Sequence, residues 1–371
     1  MLNLNSKKNK NKKMKEKKRV LVGMSGGVDS SVTAALLKKR GYDVIGITFQ
    51  LLPKESEKLS ACCNLNSITD AKRVANKLNI PHYTINIRDT FKHHVIDYFV
   101  SEYMLGHTPN PCVECNRHIK FDELLKTAKD LNADYVATGH YCKITKSNKS
   151  KRYFLKKGKD PKKDQSYFLY MLNSDTLSKT FFPLGNYQKA DIREMAINMG
   201  LINANKKESQ DICFITHGTY KEFIEAQLEK KVNLEGDIVD INNNILGKHK
   251  GVYHYTIGQR KGLNISSDAP LYVLKINSKE NKIIVGHKDE LASSTITLKN
   301  ITLVNEDTDI VNKHFDVKTR YQMTAFKCKV IKKSNEYITL KSTTPHQFIS
   351  PGQSCVLYKK DTIIGGGVIT K

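Results

Sequence analysis

The stretch VLVGMSGGVDSSVTAALLKKRGYDVIGITF, residues 20–49, predicts a strand, a loop, a helix and a second strand. It opens with an apolar run of the kind found in buried strands. Apolar residues then recur at helical spacing over residues 28–36, and Gly41 stands where a helix usually ends. Because a second apolar run follows at residues 43–49, the unit favours a parallel sheet and an α/β fold.

The loop inside this unit, SGGVDSS at residues 25–31, has the features of an anion site. Gly26 and Gly27 allow a tight turn, and loop amides and three serine hydroxyls are expected to surround an anion at the positive end of the helix. An ordinary capped turn is the alternative. The third glycine of a dinucleotide site and the Gly-Lys-Ser/Thr of a Walker loop are both missing. The run resembles the PP-loop of ATP pyrophosphatases, which cleave ATP to AMP and pyrophosphate and activate a carbonyl as an adenylate.

Composition narrows the class of protein. The chain has 371 residues, with 61 Lys and Arg against 37 Asp and Glu, a net charge of +24. This excess suits a polyanionic partner. Residues 1–18 form a Lys- and Asn-rich tail that we expect to be disordered. We see no secretory signal and no span long enough for a membrane, and eight cysteines then suggest reduced, reactive or metal-binding thiols in the cytoplasm.

Changes in pattern along the chain predict three domains. Strands and helices alternate over residues 19–215, which predicts an α/β domain. The resemblance to PP-loop enzymes implies that this is the catalytic domain, of the adenine nucleotide alpha hydrolase-like type. Short β-rich segments broken by Asn, Gly and Ser follow. They predict a small mixed central domain at residues 216–290 and a C-terminal β-barrel-like domain at residues 291–371.

The segment HTPNPCVECNRHIKF carries two cysteines, Cys112 and Cys115. Its prolines keep the chain out of a helix until after Pro111, so both thiols should lie on a loop or in the first helical turn, where a thiol becomes a better nucleophile. Inert cysteines, half a zinc site and a redox pair are the alternatives, although no second ligand pair for zinc lies nearby. Cys213 in ESQDICFI, taken alone, would be a small buried apolar residue.

Ordered motifs along the chain resemble those of one family, the tRNA-specific 2-thiouridylases of the MnmA/TrmU type. The match runs from about Arg19 to the C-terminus. The motifs are GMSGGVDSS, CCNLNSITDAKRVANKL, TPNPCVECNRHIKF, ATGHY, KDQSYFL, FPLG, ESQDICFI, GKHKGVYHYTIGQRKGL and PLYVLKI.

The resemblance implies a role for individual residues. Cys115 matches the nucleophilic cysteine of the family, and Cys213 matches the cysteine that carries a persulfide. The positions that match ATP-binding residues are Gly23, Met24, Ser25, Gly26, Gly27, Val28, Asp29, Ser30, Phe49 and Gly139. The target-base loop is matched by Asn110, Pro111 and Cys112. The positions that match tRNA contacts are His140, Lys163, Asp164, Gln165, Arg320, Tyr321 and Gln353.

The sequence departs from the family at Cys112, where many members have an aspartate that is a candidate general acid or base. A thiol cannot simply replace that group, because its unperturbed pKa is about 8.5 rather than about 3.9. Proton transfer then falls to another group or to water, or Cys112 takes part in the sulfur chemistry.

The activity implied by the resemblance is ATP-dependent 2-thiolation of uridine 34, the wobble base, in the tRNAs for Lys, Glu and Gln. ATP is the co-substrate and Mg²⁺ its expected counter-ion, with no protein-bound metal. The family implies a cysteine desulfurase or a relay protein as the sulfur donor, and we expect a monomer.

Other functions remain open at this point. An iron–sulfur-dependent PP-loop thiolase could use Cys112, Cys115 and Cys213 as ligands. Amide-forming PP-loop synthetases and tRNA lysidine synthetase are further alternatives that would not need Cys115 and Cys213. A basic RNA-binding module with a vestigial loop is a third alternative.

Overall fold

The computed structural model describes residues 17–52, 65–206, 212–215, 218–228, 234–347 and 349–370. Most of the predicted disordered tail, the adjacent Cys62 and Cys63, and residues 208–211 of the ESQDICFI motif lie outside these ranges.

The strands of the described residues form three sheets. In chain order they are β1 (Arg19–Gly23), β2 (Asp43–Gln50), β3 (His82–Asn86), β4 (Tyr135–Ala137), β5 (Cys142–Lys146), β6 (Tyr153–Lys157), β7 (Thr180–Phe181), β8 (Gly236–Val239), β9 (Ile245–His249), β10 (Tyr272–Asn277), β11 (Lys282–Gly286), β12 (Ser293–Leu303), β13 (His314–Lys318), β14 (Phe326–Lys333), β15 (Ile338–His346), β16 (Ser354–Lys359) and β17 (Thr362–Ile369).

The helices occupy mainly the first two thirds of the chain. The α-helices are α1 (Val28–Lys39), α2 (Leu65–Lys77), α3 (Arg88–Phe91), α4 (Tyr98–Met104), α5 (Pro111–Glu114), α6 (Leu124–Asp130), α7 (Ser174–Ser178), α8 (Lys189–Asn198) and α9 (Tyr220–Gln227). Two π-helical segments are Lys92–Asp97 and Cys115–Glu123, and the 3-10 helices are Ser166–Leu169, Val252–His254 and Lys288–Leu291.

The N-terminal sheet is parallel, with the strand order β3-β2-β1-β4-β7. Successive residues of β1 face opposite sides. Val20 and Val22 pack in a cluster with α1, α2 and α8, whereas Leu21 packs with Leu124 and Ala128 of α6. Both faces are therefore covered by helices, as parallel sheets require. The α/β fold predicted from residues 20–49 is confirmed.

The later part of the chain is rich in β-structure, as predicted. A central four-stranded sheet has the order β10-β11-β8-β9. Six antiparallel strands then run β12-β15-β14-β13-β16-β17, and the pairing of β12 with β17 closes them into a barrel. Its interior is apolar, with side chains from several strands in one buried cluster. The expectation of a C-terminal β-barrel is thus confirmed.

One hairpin joins the first and last parts of the chain. In sequence, strands β5 and β6 lie between β4 and β7 of the parallel sheet. In space, β6 pairs with β17 of the barrel at Lys156 and Thr362. Nothing in the alternation of residues 142–157 indicates this partner. The hairpin places the barrel beside the N-terminal sheet, while the exact domain boundaries stay predictions.

Candidate active site

The loop between β1 and α1 has a backbone that only glycine accommodates. Gly26 has φ +69°, and a Cβ atom there would lie 2.2 Å from the carbonyl oxygen of Ser67. Gly27 is the residue before α1, and no side chain caps this helix end. The first turn of a helix carries amides that suit an anion. The observed geometry is consistent with the phosphate-binding role implied for residues 23–30, which we call the PP-loop.

The hydroxyls of Ser25, Ser30 and Ser31 are not equally available to bind an anion. Ser25 is exposed, and its amide donates to Ser30 Oγ at 3.2 Å. Ser30 Oγ and Ser31 Oγ each donate to the Gly27 carbonyl, at 3.1 and 2.9 Å. Ser31 is fully buried. The expectation that three hydroxyls surround an anion is therefore wrong for Ser31, because its hydroxyl is used inside the fold.

Two other predicted ATP-binding residues lie at the carboxyl ends of β2 and β4, the strands on either side of β1. Gly139 follows β4, and a Cβ atom there would lie 2.9 Å from the backbone of Asp29 and of Ser30. Glycine at this position thus permits the close approach of the β4 loop to the start of α1. Phe49 is half-buried near the end of β2. Ligands of open α/β sheets bind at this edge.

Asp29 of the PP-loop is held by two residues that sequence reasoning missed. Lys189 Nζ lies 2.7 and 2.8 Å from the two carboxylate oxygens, and Tyr141 donates its hydroxyl to the same carboxylate at 2.7 Å. Lys189 begins α8, far from the loop in sequence. Tyr141 ends the ATGHY motif, which was the available signal, whereas no local pattern distinguishes Lys189 from the many other lysines.

Cys115 and Cys213, although about a hundred residues apart in sequence, belong to the same apolar cluster. Cys115 is buried at the junction of α5 and the π-helical segment, and Cys213 is half-buried. The neighbouring Phe214 packs edge-on against Phe91 and Phe99, with ring centroids 5.9 and 5.4 Å apart. This packing draws the segment that contains Cys213 toward the helices around Cys115.

The same cluster reaches the nucleotide side of the sheet. Phe49 packs against it and also against the apolar layer beneath β1 and β2. Cys112, by contrast, is exposed at the start of α5. Cys115, Cys213 and Phe49 therefore belong to one apolar cluster. Cys112 instead lies on the exposed surface of α5.

The predicted target-base loop is anchored to the C-terminal barrel. Gln353 Nε2 donates to the Thr108 carbonyl at 2.8 Å, and the Thr108 amide donates to the Pro351 carbonyl at 2.8 Å. A Cβ atom at Gly352 would lie 2.9 Å from the Thr108 amide nitrogen. Asn110 then precedes α5, whose first residue is a proline. Gln353 thus holds the segment just before the loop, and its contact with tRNA stays a prediction.

His140 is buried, and its contacts within the described residues are with other buried side chains. Its Nδ1 lies 2.7 Å from Thr138 Oγ1, and its ring stacks on Phe121 with centroids 6.1 Å apart. Burial lowers the pKa of His140 well below the usual value. A tRNA contact would therefore involve a neutral imidazole, and it stays a prediction.

The remaining predicted tRNA positions form two groups. Asp164 accepts from the Gly158 amide at 3.0 Å and from Ser166 Oγ at 2.9 Å, and Gln165 Oε1 accepts from the Tyr141 amide at 3.0 Å. These bonds tie the KDQ motif, which includes the half-buried Lys163, to the end of the parallel sheet.

In the barrel, Arg320 donates to Ser350 Oγ at 2.8 Å, and burial lowers its pKa. Tyr321 packs on Phe168 with centroids 4.6 Å apart. Their roles toward tRNA stay predictions.

The described residues contain no group of three or more His, Cys, Asp or Glu side chains arranged to hold a metal ion. Cys112 is exposed and Cys115 buried, so the iron–sulfur alternative is not supported. Both Asp29 oxygens are engaged by Lys189, which leaves this carboxylate poorly suited to a cation. Any Mg²⁺ would then rely on phosphate and water oxygens.

Within the described part of the chain, no helix combines the length and apolar character needed to cross a membrane.

Three family descriptions match consecutive parts of the chain. They are a tRNA methyl transferase HUP domain over residues 18–217, a tRNA methyl transferase PRC-barrel domain over residues 221–287, and an aminomethyltransferase beta-barrel domain over residues 293–369. The first alone spans more than half of the chain.

Curated relatives match over nearly the full length. A tRNA-specific 2-thiouridylase MnmA of Clostridioides difficile (strain 630) is 44% identical over 356 residues, which cover 95% of this chain and 98% of that protein. A tRNA-specific 2-thiouridylase MnmA 2 of Clostridium tetani (strain Massachusetts / E88) is 46% identical over 356 residues, with 95% and 99% covered.

A solved structure of a 4-thiouridine synthetase–RNA complex with bound ATP covers 57% of this chain and 50% of that chain, at 18% identity and a TM-score of 0.35. At that score the likeness adds nothing to the assignment. The identity and coverage of the curated relatives are sufficient on their own. The chain belongs to the MnmA family of tRNA-specific 2-thiouridylases.

Proposed function

We propose that this protein transfers sulfur to C2 of the wobble uridine of tRNA in a reaction driven by ATP. The observation that carries the proposal is the common apolar cluster of Cys115 and Cys213, which Phe49 connects to the nucleotide edge of the sheet. A pair of thiols beside an ATP-binding loop is what sulfur transfer to an activated carbonyl requires. The names of the full-length relatives support the same reaction.

Activation of the base comes first. The C2 carbonyl of a pyrimidine is a poor electrophile, and its oxygen is a poor leaving group. Attack of that oxygen on the α-phosphate of ATP forms an adenylate and releases pyrophosphate. The amides at the start of α1 stabilise the negative charge that develops on the departing phosphates. Magnesium accompanying ATP would supply further positive charge to the phosphates.

Sulfur then reaches C2 by one of two routes. In the first, the terminal sulfur of a Cys213 persulfide attacks C2 and AMP leaves; the Cys115 thiolate then attacks Cys213 Sγ and breaks the S–S bond, so that the terminal sulfur stays on the base. In the second, Cys115 attacks the persulfide first and releases hydrosulfide, which attacks C2. Both routes end with 2-thiouridine, AMP and a Cys115–Cys213 disulfide. External thiols must reduce that disulfide before the next cycle.

The partners follow from this chemistry. The base must be unstacked from the anticodon loop to reach a buried thiol. The target-base loop of Asn110, Pro111 and Cys112 would receive it, and the acceptors are the tRNAs for Lys, Glu and Gln. The sulfur donor is a cysteine desulfurase or a relay protein. The reaction takes place in the cytoplasm, and the enzyme acts as a monomer.

Incubation of unmodified tRNA with the purified protein, ATP and a sulfur source tests the proposal. Mass spectrometry of the nucleosides should detect 2-thiouridine only when ATP is present. Two of the matched domain descriptions name methyl transfer instead. A methylated uridine without sulfur, formed with a methyl donor and without ATP, would replace the thiolation proposal with that activity.

A further inference from the structure

The segment that follows α8 is fastened over the PP-loop by two polar side chains. Asn203 is 5% exposed, and its Nδ2 donates to the Gly26 carbonyl at 3.0 Å and to Ser31 Oγ at 2.9 Å. Lys206 Nζ lies 3.4 Å from the same Gly26 carbonyl. The ammonium group of Lys206 is therefore held at the rim of the loop on which the phosphates of ATP would lie.

Lys206 is held less firmly than Lys189, the other lysine beside the PP-loop. Among the described residues, its short contact is with Asp70 Oδ2 at 2.8 Å, and its distance to Ser67 Oγ is 3.5 Å. The Lys206 side chain is 31% exposed, whereas Lys189, which is bound to both oxygens of Asp29, is 12% exposed. Lys206 can thus exchange one partner for another at small cost, since partly exposed ion pairs contribute little.

We propose that Lys206 binds the β- and γ-phosphates of ATP and that Asp70 restrains it until the nucleotide arrives. This inference rests on the proposed function and adds a phosphate-binding residue to it. Phosphate oxygens accept stronger, charge-assisted hydrogen bonds and carry more negative charge than a single carboxylate. The ammonium group therefore moves from Asp70 to the phosphates and stays with the pyrophosphate as it departs.

The position of Lys206 also predicts which part of the nucleotide it recognises. It touches Gly26 of the loop, whereas Phe49 and Gly139, two positions matched to residues that line the nucleotide, lie at the ends of β2 and β4. Lys206 should consequently affect ATP and pyrophosphate, which contain the terminal phosphates, and leave AMP binding unchanged.

Calorimetric titration of the full chain with three probes tests the proposal: α,β-methylene-ATP with magnesium, inorganic pyrophosphate with magnesium, and AMP. The variants are Lys206→Met, Lys206→Arg and Asp70→Asn. Lys77→Met is the matched control, because Lys77 also joins α2 to the segment after α8, through the Gly200 carbonyl, without contacting the PP-loop. Thermal unfolding verifies that each variant is folded.

We expect Lys206→Met to weaken binding of the ATP analogue and of pyrophosphate about tenfold or more, with AMP binding unchanged. Asp70→Asn should tighten binding of both phosphate probes by about two- to fivefold, because the competing carboxylate is gone. Lys206→Arg should retain most of the affinity, and Lys77→Met should match the wild type.

Opposite effects of the Lys206 and Asp70 variants separate phosphate binding from a merely structural ion pair, which would make both variants weaker. Weaker pyrophosphate binding by Asp70→Asn would overturn the proposal, and so would an unchanged affinity in Lys206→Met. If Lys206→Met fails to fold, the Asp70→Asn result decides alone. Suppose that the wild type binds ATP and forms 2-thiouridine, but Lys206→Met and Asp70→Asn change phosphate affinity in the same direction. That result would overturn only this inference. A wild type that binds no ATP would overturn the proposed function as well.

Discussion

The PP-loop and the cysteine cluster are built in different ways. The PP-loop is contiguous, and its shape follows from Gly26 and from the strand and helix on either side. The cluster takes Cys115 from the end of a short helix and Cys213 from a segment about a hundred residues later. Local chemistry suffices for the first, whereas long-range apolar packing produces the second. Mutations should therefore affect the two regions differently.

The largest effect is expected in the cysteine cluster. Cys115→Ser or Cys213→Ser should abolish 2-thiouridine formation, since a hydroxyl neither carries a persulfide nor attacks one. Binding of tRNA should remain, because a serine preserves the size of the side chain. Nucleoside mass spectrometry and a tRNA-binding assay measure the two quantities.

Cys328→Ala serves as a control for removing a buried thiol, because Cys328 lies in the barrel core, in a different cluster. It should retain thiolation. Normal 2-thiouridine formation by Cys115→Ser would show that the cluster has no part in the chemistry.

The next largest effect concerns the backbone of the PP-loop. Gly26→Ala should lower the free energy of unfolding by about 2 kcal/mol or more, because its Cβ would clash with the Ser67 carbonyl at a positive φ. Gly27→Ala should cost less than about 1 kcal/mol, since its Cβ would meet only Ser25 Oγ at 3.4 Å. Urea unfolding compares the two. Equal costs would show that the loop relaxes and that its shape is not set locally.

A double-mutant cycle tests whether the ion pair between Asp29 and Lys189 holds the PP-loop to α8. Asp29→Asn and Lys189→Met should each destabilise the protein by about 2 kcal/mol, because each removes an ion pair between two partly buried groups. The double variant should cost less than the sum, with a coupling of about 1 kcal/mol. Additive costs would mean that the pair does not hold the PP-loop to α8. Both single variants should also raise the KM for ATP.

The smallest effect is expected where the barrel supports the target-base loop. Gln353→Ala should cost about 1 kcal/mol, since it removes the hydrogen bond to the Thr108 carbonyl. It should also raise the KM for tRNA several-fold through a less ordered loop. Gln347→Ala is the control in the same barrel, because Gln347 donates to the Lys288 carbonyl at 3.4 Å, away from the loop. Identical KM values for the two variants would remove the barrel from target positioning.

The features of the fold and the site that the sequence predicted are those that depend on residues close together in the chain. Glycines between an apolar strand and a helical repeat predicted the PP-loop, and alternating strands and helices predicted the parallel sheet, because both depend on neighbours in the chain. The β-rich end likewise predicted the barrel, although not its closure by β12 and β17. The two prolines before Cys112 placed the start of α5 to within one residue, since the helix begins at Pro111 rather than after it.

The amino-acid sequence alone determined which residues are available for sulfur and phosphate chemistry, since a thiol, a glycine or an ammonium group has its properties wherever it stands. Only the tertiary structure decided which of them meet. It buried Ser31 and His140, brought Lys189 to Asp29 and Lys206 to Gly26, and carried Cys213 into the cluster with Cys115. These contacts join positions far apart in the chain, and they form because burying apolar surface in one core repays the entropy of ordering such distant segments.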